Sequence, residues 1–243
     1  LVSIATVLNN IGRLYYLRSE FKEALVVYGE SLQIRREFLG SDSIDVAATI
    51  YNLGQTCYQL GQHDESLAYY KEFIKIARST FGHQSRDVAL VYKGIAEIHH
   101  ERSDLKMALY YFSKALDAQR ASDGKSSSDV ATTLNRLGNL CYEMKDFPSA
   151  MQHYKEGLNI ESSILTPHHP HIIIILANIA HIHKLLGDHT KALAAYKRMH
   201  KTQAKAFGCD NVHIAETLSS IGLMEYHMLD FESSFDSYQA ALR

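Results

Sequence analysis

Cysteine is scarce in this chain of 243 residues: Cys57, Cys141 and Cys209 are all there is. Three scattered thiols make no disulfide framework, so a reducing compartment and a cytoplasmic location are expected. An excess of charge of one sign is also lacking. The formal net charge of −2 gives no global field to recruit nucleic acid or an anionic membrane. Long hydrophobic runs are missing too. The longest, Ile172 to Ala177, falls far short of the roughly 20 residues of a membrane span, so no membrane insertion is expected. The chain opens on Leu1 without a signal-peptide pattern and reads as a piece excised from something longer. What it does have is 46% apolar residues, enough for a sizeable buried interior.

Those apolar residues are periodic. Gly12, Gly54, Ala96, Gly138, Ala180 and Gly222 form a column with a constant step of 42 residues. Ala24, Ser66, Ala108, Ala150, Ala192 and Ser234 form a second, and Tyr28, Tyr70, Phe112, Tyr154, Tyr196 and Tyr238 a third. A β-branched aliphatic opens each unit, from Ile4 and Val46 to Ile172 and Ile214, and glycine closes most of them, with Thr166 the exception. Small residues suit places where two helices approach closely, and the aromatic column fills the space beside them. Within a unit the apolar spacing is helical, with a break near Gly61 where a turn belongs. Pro148 and Pro170 fall at the first position of a helix, where a missing N–H costs nothing. The expected fold is therefore all-α, six helical hairpins (about twelve helices) in one domain spanning 1–243. The repeats fall at about 4–45, 46–87, 88–129, 130–171, 172–213 and 214–243. No single hairpin can bury its apolar face, whereas stacked neighbours share one continuous core.

The unit resembles the tetratricopeptide repeat, whose signature in the second copy reads Ile50, Leu53, Gly54, Cys57, Ser66 and Tyr70. It departs from the general motif in its longer period and in having no closing proline. Asn9, Asn10, Asn52, Asn135 and Asn178, with His169-Pro170, are similar to the kinesin light chain branch of that family. This resemblance implies a right-handed superhelical solenoid with a concave wall made by the first helix of each hairpin. It also implies which side chains face the wall: Asn9, Arg13 and Tyr16; Tyr51, Gln55 and Tyr58; Lys93, Glu97 and His100; Asn135, Asn139 and Tyr142; His181 and Lys184; and Tyr226.

Tyrosine offers a rigid apolar face with a polar tip, and amides satisfy both donors and acceptors of an extended backbone. The alternative is that these aromatics pack against the next repeat. Charge on the wall is mixed, since Arg13, Lys93 and Lys184 alternate with Glu97, Glu101 and Glu143. That pattern does not fit the basic clamp by which chaperone-binding relatives hold carboxylate tails, nor a uniformly basic groove for acidic cargo.

Enzymatic signatures are missing. No two of the fourteen histidines lie four apart, so no helix presents a zinc-hydrolase face, and His168, His169 and His171 read as a solvated loop. Gly124-Lys125-Ser126 lacks the earlier glycine of a phosphate loop, and no Gly-x-Ser-x-Gly elbow occurs. Cys57 and Cys141 share a repeat column and read as small core residues. No catalytic residue, metal or cofactor is expected. The sequence points to a scaffold that binds a protein or peptide, a cargo adaptor of the kinesin light chain kind. The alternative is the regulatory repeat region of a larger signalling protein or enzyme. Phe231, Phe235 and Leu242 in the last hairpin have no successor to cover them, so further helices or self-association through an uncapped end are expected.

Overall fold

A computed structural model describes residues 1–80, 85–122, 124, 126–208 and 212–242. Among these the regular structure is entirely helical. The helices are α1 (Val2–Leu17), α2 (Phe21–Leu39), α3 (Ile44–Gln59), α4 (His63–Thr80), α5 (Arg86–Glu101), α6 (Leu105–Ser122), α7 (Ser128–Glu143), α8 (Phe147–Ile164), α9 (Pro170–Leu185), α10 (His189–Phe207), α11 (Val212–His227) and α12 (Phe231–Ala241). The odd-numbered helices begin at 2, 44, 86, 128, 170 and 212, and the even-numbered ones at 21, 63, 105, 147, 189 and 231. Both series advance by 42, so the period of the sequence is the period of the backbone. The chain divides into two compact units, Leu1–Lys125 and Ser126–Arg243, each of three hairpins.

The turn inside each hairpin repeats in detail. Its third residue has a left-handed backbone in all six copies: Ser19 (φ 62), Gly61 (73), Ser103 (60), Lys145 (61), Gly187 (73) and Leu229 (65). In the second hairpin Gly61 N–H donates to Tyr58 C=O at 3.0 Å and Gln62 N–H to Cys57 C=O at 2.9 Å. This double return is the Schellman motif, which satisfies the carbonyls left over at a helix end, and all six turns carry it. The residue after the turn then caps the next helix. Asp146, Asp188 and Asp230 each accept from a backbone N–H at 3.2 Å. Hydrogen bonds from the side chains and then the backbone of Ser149, Lys191 and Ser233 hold their carboxyls below the usual range. Ser43, Ser85 and Ser127 cap α3, α5 and α7 in the same way. Pro170 opens α9, while Pro148 stands one residue inside α8.

The three columns meet inside the hairpins. A Cβ on Gly138 would lie 2.5 Å from the Tyr154 ring, and one on Gly54 2.7 Å from Tyr70, so the aromatic ring occupies the room left by glycine. The helices also cross closely there, because Ser66 Oγ donates to Gly54 C=O at 2.7 Å and Ser234 Oγ to Gly222 C=O at 2.8 Å. Between hairpins of one unit, α2 packs on α3, α4 on α5, α8 on α9 and α10 on α11. This seals Val46, Val88, Ile172 and Ile214, all at most 4% exposed. Ile4 holds the same column position but is 51% exposed, since no described helix precedes α1. Cys57 and Cys141 are buried free thiols, and burial pushes Cys57 up to about 11, so they are core residues as expected. Cys209 and Lys125 lie outside the described residues.

Candidate partner-binding face

The first helices of the hairpins carry every residue the sequence assigns to the wall, and none of those side chains is fully buried. In the first unit the wall comprises α1, α3 and α5. Asn52 Nδ2 donates to Asn9 Oδ1 at 3.2 Å, joining the first two helices. Gln55 Nε2 donates to the Tyr51 hydroxyl at 2.7 Å, while the Tyr51 ring lies against Phe73 at 6.1 Å and Tyr70 at 6.4 Å. Burial, with the nearby Tyr16 and Asp87 adding to it, pushes the Tyr51 phenol up to about 12. Tyr58 donates its hydroxyl to Glu101, whose other oxygen stands 3.3 Å from His63 Nε2. Arg13 is exposed, and Lys93, Glu97 and His100 are half-buried along α5.

In the second unit α7, α9 and α11 form the corresponding wall, and its groups converge more tightly. Asn178 Nδ2 faces two acceptors, Asn135 Oδ1 at 3.4 Å and Asn139 Oδ1 at 3.3 Å. Asn139 also accepts from the Tyr154 hydroxyl at 2.7 Å. His181 Nε2 meets the Tyr142 hydroxyl at 2.9 Å. Asn139, Tyr142, Asn178 and His181 line a cleft of about 420 Å³ together with Glu143 and Tyr154. A second cleft of about 470 Å³ opens further along α9, where Ile173, Ile174, Ala177 and Phe207 supply an apolar lining. Lys184 is half-buried and Tyr226 exposed at the far end.

The tyrosine column has a double role. Each ring packs on the first residue of the second helix of its own hairpin: Tyr16 on Phe21 at 5.4 Å, Tyr58 on His63 at 5.9 Å, Tyr142 on Phe147 at 5.7 Å and Tyr226 on Phe231 at 5.6 Å. The tyrosines thus pack within their own hairpin, and Tyr142 also packs on the next, its ring 5.7 Å from that of His181. At Tyr58 and Tyr142 the hydroxyl then reaches forward to the following repeat. Two participants escape a reading by wall position. Asn52 and Asn178 stand one residue C-terminal to Tyr51 and Ala177, and their visible signal was the asparagine column itself. The third-column Tyr154 is buried as a ring but delivers its hydroxyl to the wall.

The profile of the tetratricopeptide repeat family matches residues 3–79, 87–163 and 164–243, and the chain belongs to that family. Among curated proteins no sequence relative matches. Solved structures with the same fold include BtubC (BKLC) from P. vanneervenii, 17% identical with a TM-score of 0.71 over 92% of this chain and 90% of that one. A putative kinesin light chain of Podosopora anserina with nearly identical repeats gives 0.71 at 14% identity, over 85% of this chain and 98% of that one. The apo form of RapI gives 0.72 at 15% identity, over 98% and 96%. The likeness to kinesin light chain repeats read from the asparagines thus extends to the backbone.

Proposed function

We propose that the chain is a non-enzymatic scaffold that holds an extended segment of a partner protein against its first-helix walls, in the manner of a kinesin light chain-like cargo adaptor. The observation that carries this reading is the cleft of Asn139, Tyr142, Asn178 and His181. Its amides, hydroxyl and imidazole offer donors and acceptors together at a half-exposed surface, which suits a peptide backbone that needs both. The adjoining apolar cleft beside Asn178 gives a bound segment a place for an aliphatic or aromatic anchor. Mixed charge along the walls favours a partner recognised by shape and hydrogen bonding over one of a single charge sign. The exposed apolar side chains of α1 and α12 support a second contact, of one copy of this chain with another.

Panning a displayed library of extended peptides against the chain tests the reading. Enriched peptides are expected to lose at least tenfold in affinity when Tyr142→Phe is combined with His181→Ala. The thermal melt should hardly move, because Tyr142→Phe keeps the ring contact with Phe147 and His181 is exposed. Panning that enriches nothing, or binders indifferent to both substitutions, removes the walls from the proposal.

A further inference from the structure

The loop between α8 and α9 differs from its counterparts in chemistry as well as in sequence. Position 161 on α8 is the repeat equivalent of Arg35, Ala77, Gln119 and Gln203, and position 171 on α9 is that of Asp45, Asp87, Asp129 and His213. In the first of these pairs Arg35 Nη1 donates to Asp45 C=O and to Thr49 Oγ1, each at 2.7 Å. At 161 and 171 the signs are exchanged, with Glu161 facing His171, but the compensation is incomplete. The counterpart of Thr49 is Ile175, which offers no hydrogen bond.

Glu161 is only 1% exposed. One of its oxygens lies 3.5 Å from His171 Nδ1, and the other is enclosed without a hydrogen-bond partner. A buried carboxyl with an idle oxygen is costly, and a cation that could take it up would relieve the cost. A further nitrogen ligand stands close by. His169 caps α9, its Nδ1 accepting from His171 N–H at 3.3 Å, and the two imidazoles sit edge to face at 4.9 Å. One ligand atom from each of Glu161, His169 and His171 lies within 4.8 Å of the others. Metal–nitrogen and metal–oxygen bonds of about 2.0–2.2 Å in a tetrahedron need ligand atoms about 3.3–3.5 Å apart. The His171 side chain is 51% exposed and so has room to turn toward that spacing. Pro170 at the helix start carries no N–H, so one fewer backbone donor competes for the carboxyl.

We propose that Glu161, His169 and His171 bind a divalent transition-metal ion of zinc-like softness, which clasps the start of α9 to α8. Imidazole and carboxylate together suit zinc better than calcium or magnesium, and three protein ligands leave a fourth position for water. Calorimetric titration of the metal-free chain with zinc chloride provides the test. One ion per chain is expected, with a rise in melting temperature. Glu161→Gln, His169→Ala and His171→Ala should each weaken that binding at least tenfold. Glutamine is native at 119 and 203, so Glu161→Gln introduces a residue that the repeat already accommodates. His189→Ala, which breaks the stacked His189–His227 pair elsewhere in the unit, should leave zinc binding unchanged. No uptake of zinc, or uptake that survives all three substitutions, overturns the site. So does an unaltered affinity in His169→Ala, which would reduce the cluster to a Glu161–His171 ion pair.

Discussion

Leu229 occupies a backbone position that nature usually reserves for glycine. Its φ of 65 matches the 73 of Gly61 and Gly187 in the equivalent turns, yet the side chain is 74% exposed and gains little by packing. Left-handed geometry costs an L-residue roughly 1–2 kcal/mol, part of which glycine returns through the greater entropy of its unfolded chain. Leu229→Gly is therefore expected to stabilise the protein by about 0.5–1 kcal/mol, read from the midpoint of urea unfolding at constant slope. The position of this turn was legible in the sequence from the glycines at 61 and 187 alone. Its conformation at Ser19, Ser103, Lys145 and Leu229 was not, because no side chain there announces a positive φ. It goes with the paired hydrogen bonds that this residue and the next return to the preceding helix.

At the scale of helices, buried polar residues show how one interface is solved in different ways. Between α10 and α11, Thr217 Oγ1 donates to Gln203 Oε1 at 2.8 Å, both side chains being buried. Between α4 and α5 the equivalent residues are Ala77 and Val91, equally buried and needing no hydrogen bond. Thr217→Val leaves Gln203 without this partner and should cost about 1–2 kcal/mol. The double change Gln203→Ala with Thr217→Val should cost less than the sum of the single changes, with a coupling of about 1 kcal/mol in a double-mutant cycle. Additive losses would mean that the hydrogen bond contributes nothing specific.

The same scale shows why the candidate wall was only half readable. The resemblance to tetratricopeptide repeats implied that Asn135, Asn139, Tyr142 and His181 face one wall, and the structure gathers Asn139, Tyr142 and His181 around one cleft. Periodicity says nothing of which neighbour a side chain chooses. The tyrosine rings pack in their own hairpins, that of Tyr142 lies against His181 of the next as well, and the Asn178 amide reaches back to α7. The buried Glu161 was invisible for a related reason: it lies ten residues before His171 and meets it only because α8 packs on α9.

For the whole molecule, the first and last helices both leave apolar side chains exposed. Ile4, Val7 and Leu14 are exposed on α1, at 51%, 56% and 61%, and Phe231 and Phe235 on α12, at 58% and 66%. Inside each unit the second helix of one hairpin covers the first helix of the next. Docking of α12 from one copy on α1 of another would repeat that arrangement, a head-to-tail contact that builds rings or open chains. Sedimentation is expected to show species that grow with protein concentration, and Phe235→Asp should return the chain to a monomer. A wild-type monomer at every concentration would dismiss the contact.

The constant 42-residue spacing of both helix series has a genetic consequence. A deletion or duplication of one period, wherever its breakpoints fall, rejoins a helix to its own counterpart in phase. Every residue downstream keeps its place on its helix. Unequal crossing-over can therefore lengthen or shorten the array without first finding a permissive loop, whereas a change that is not a whole number of periods puts the downstream hairpins out of step.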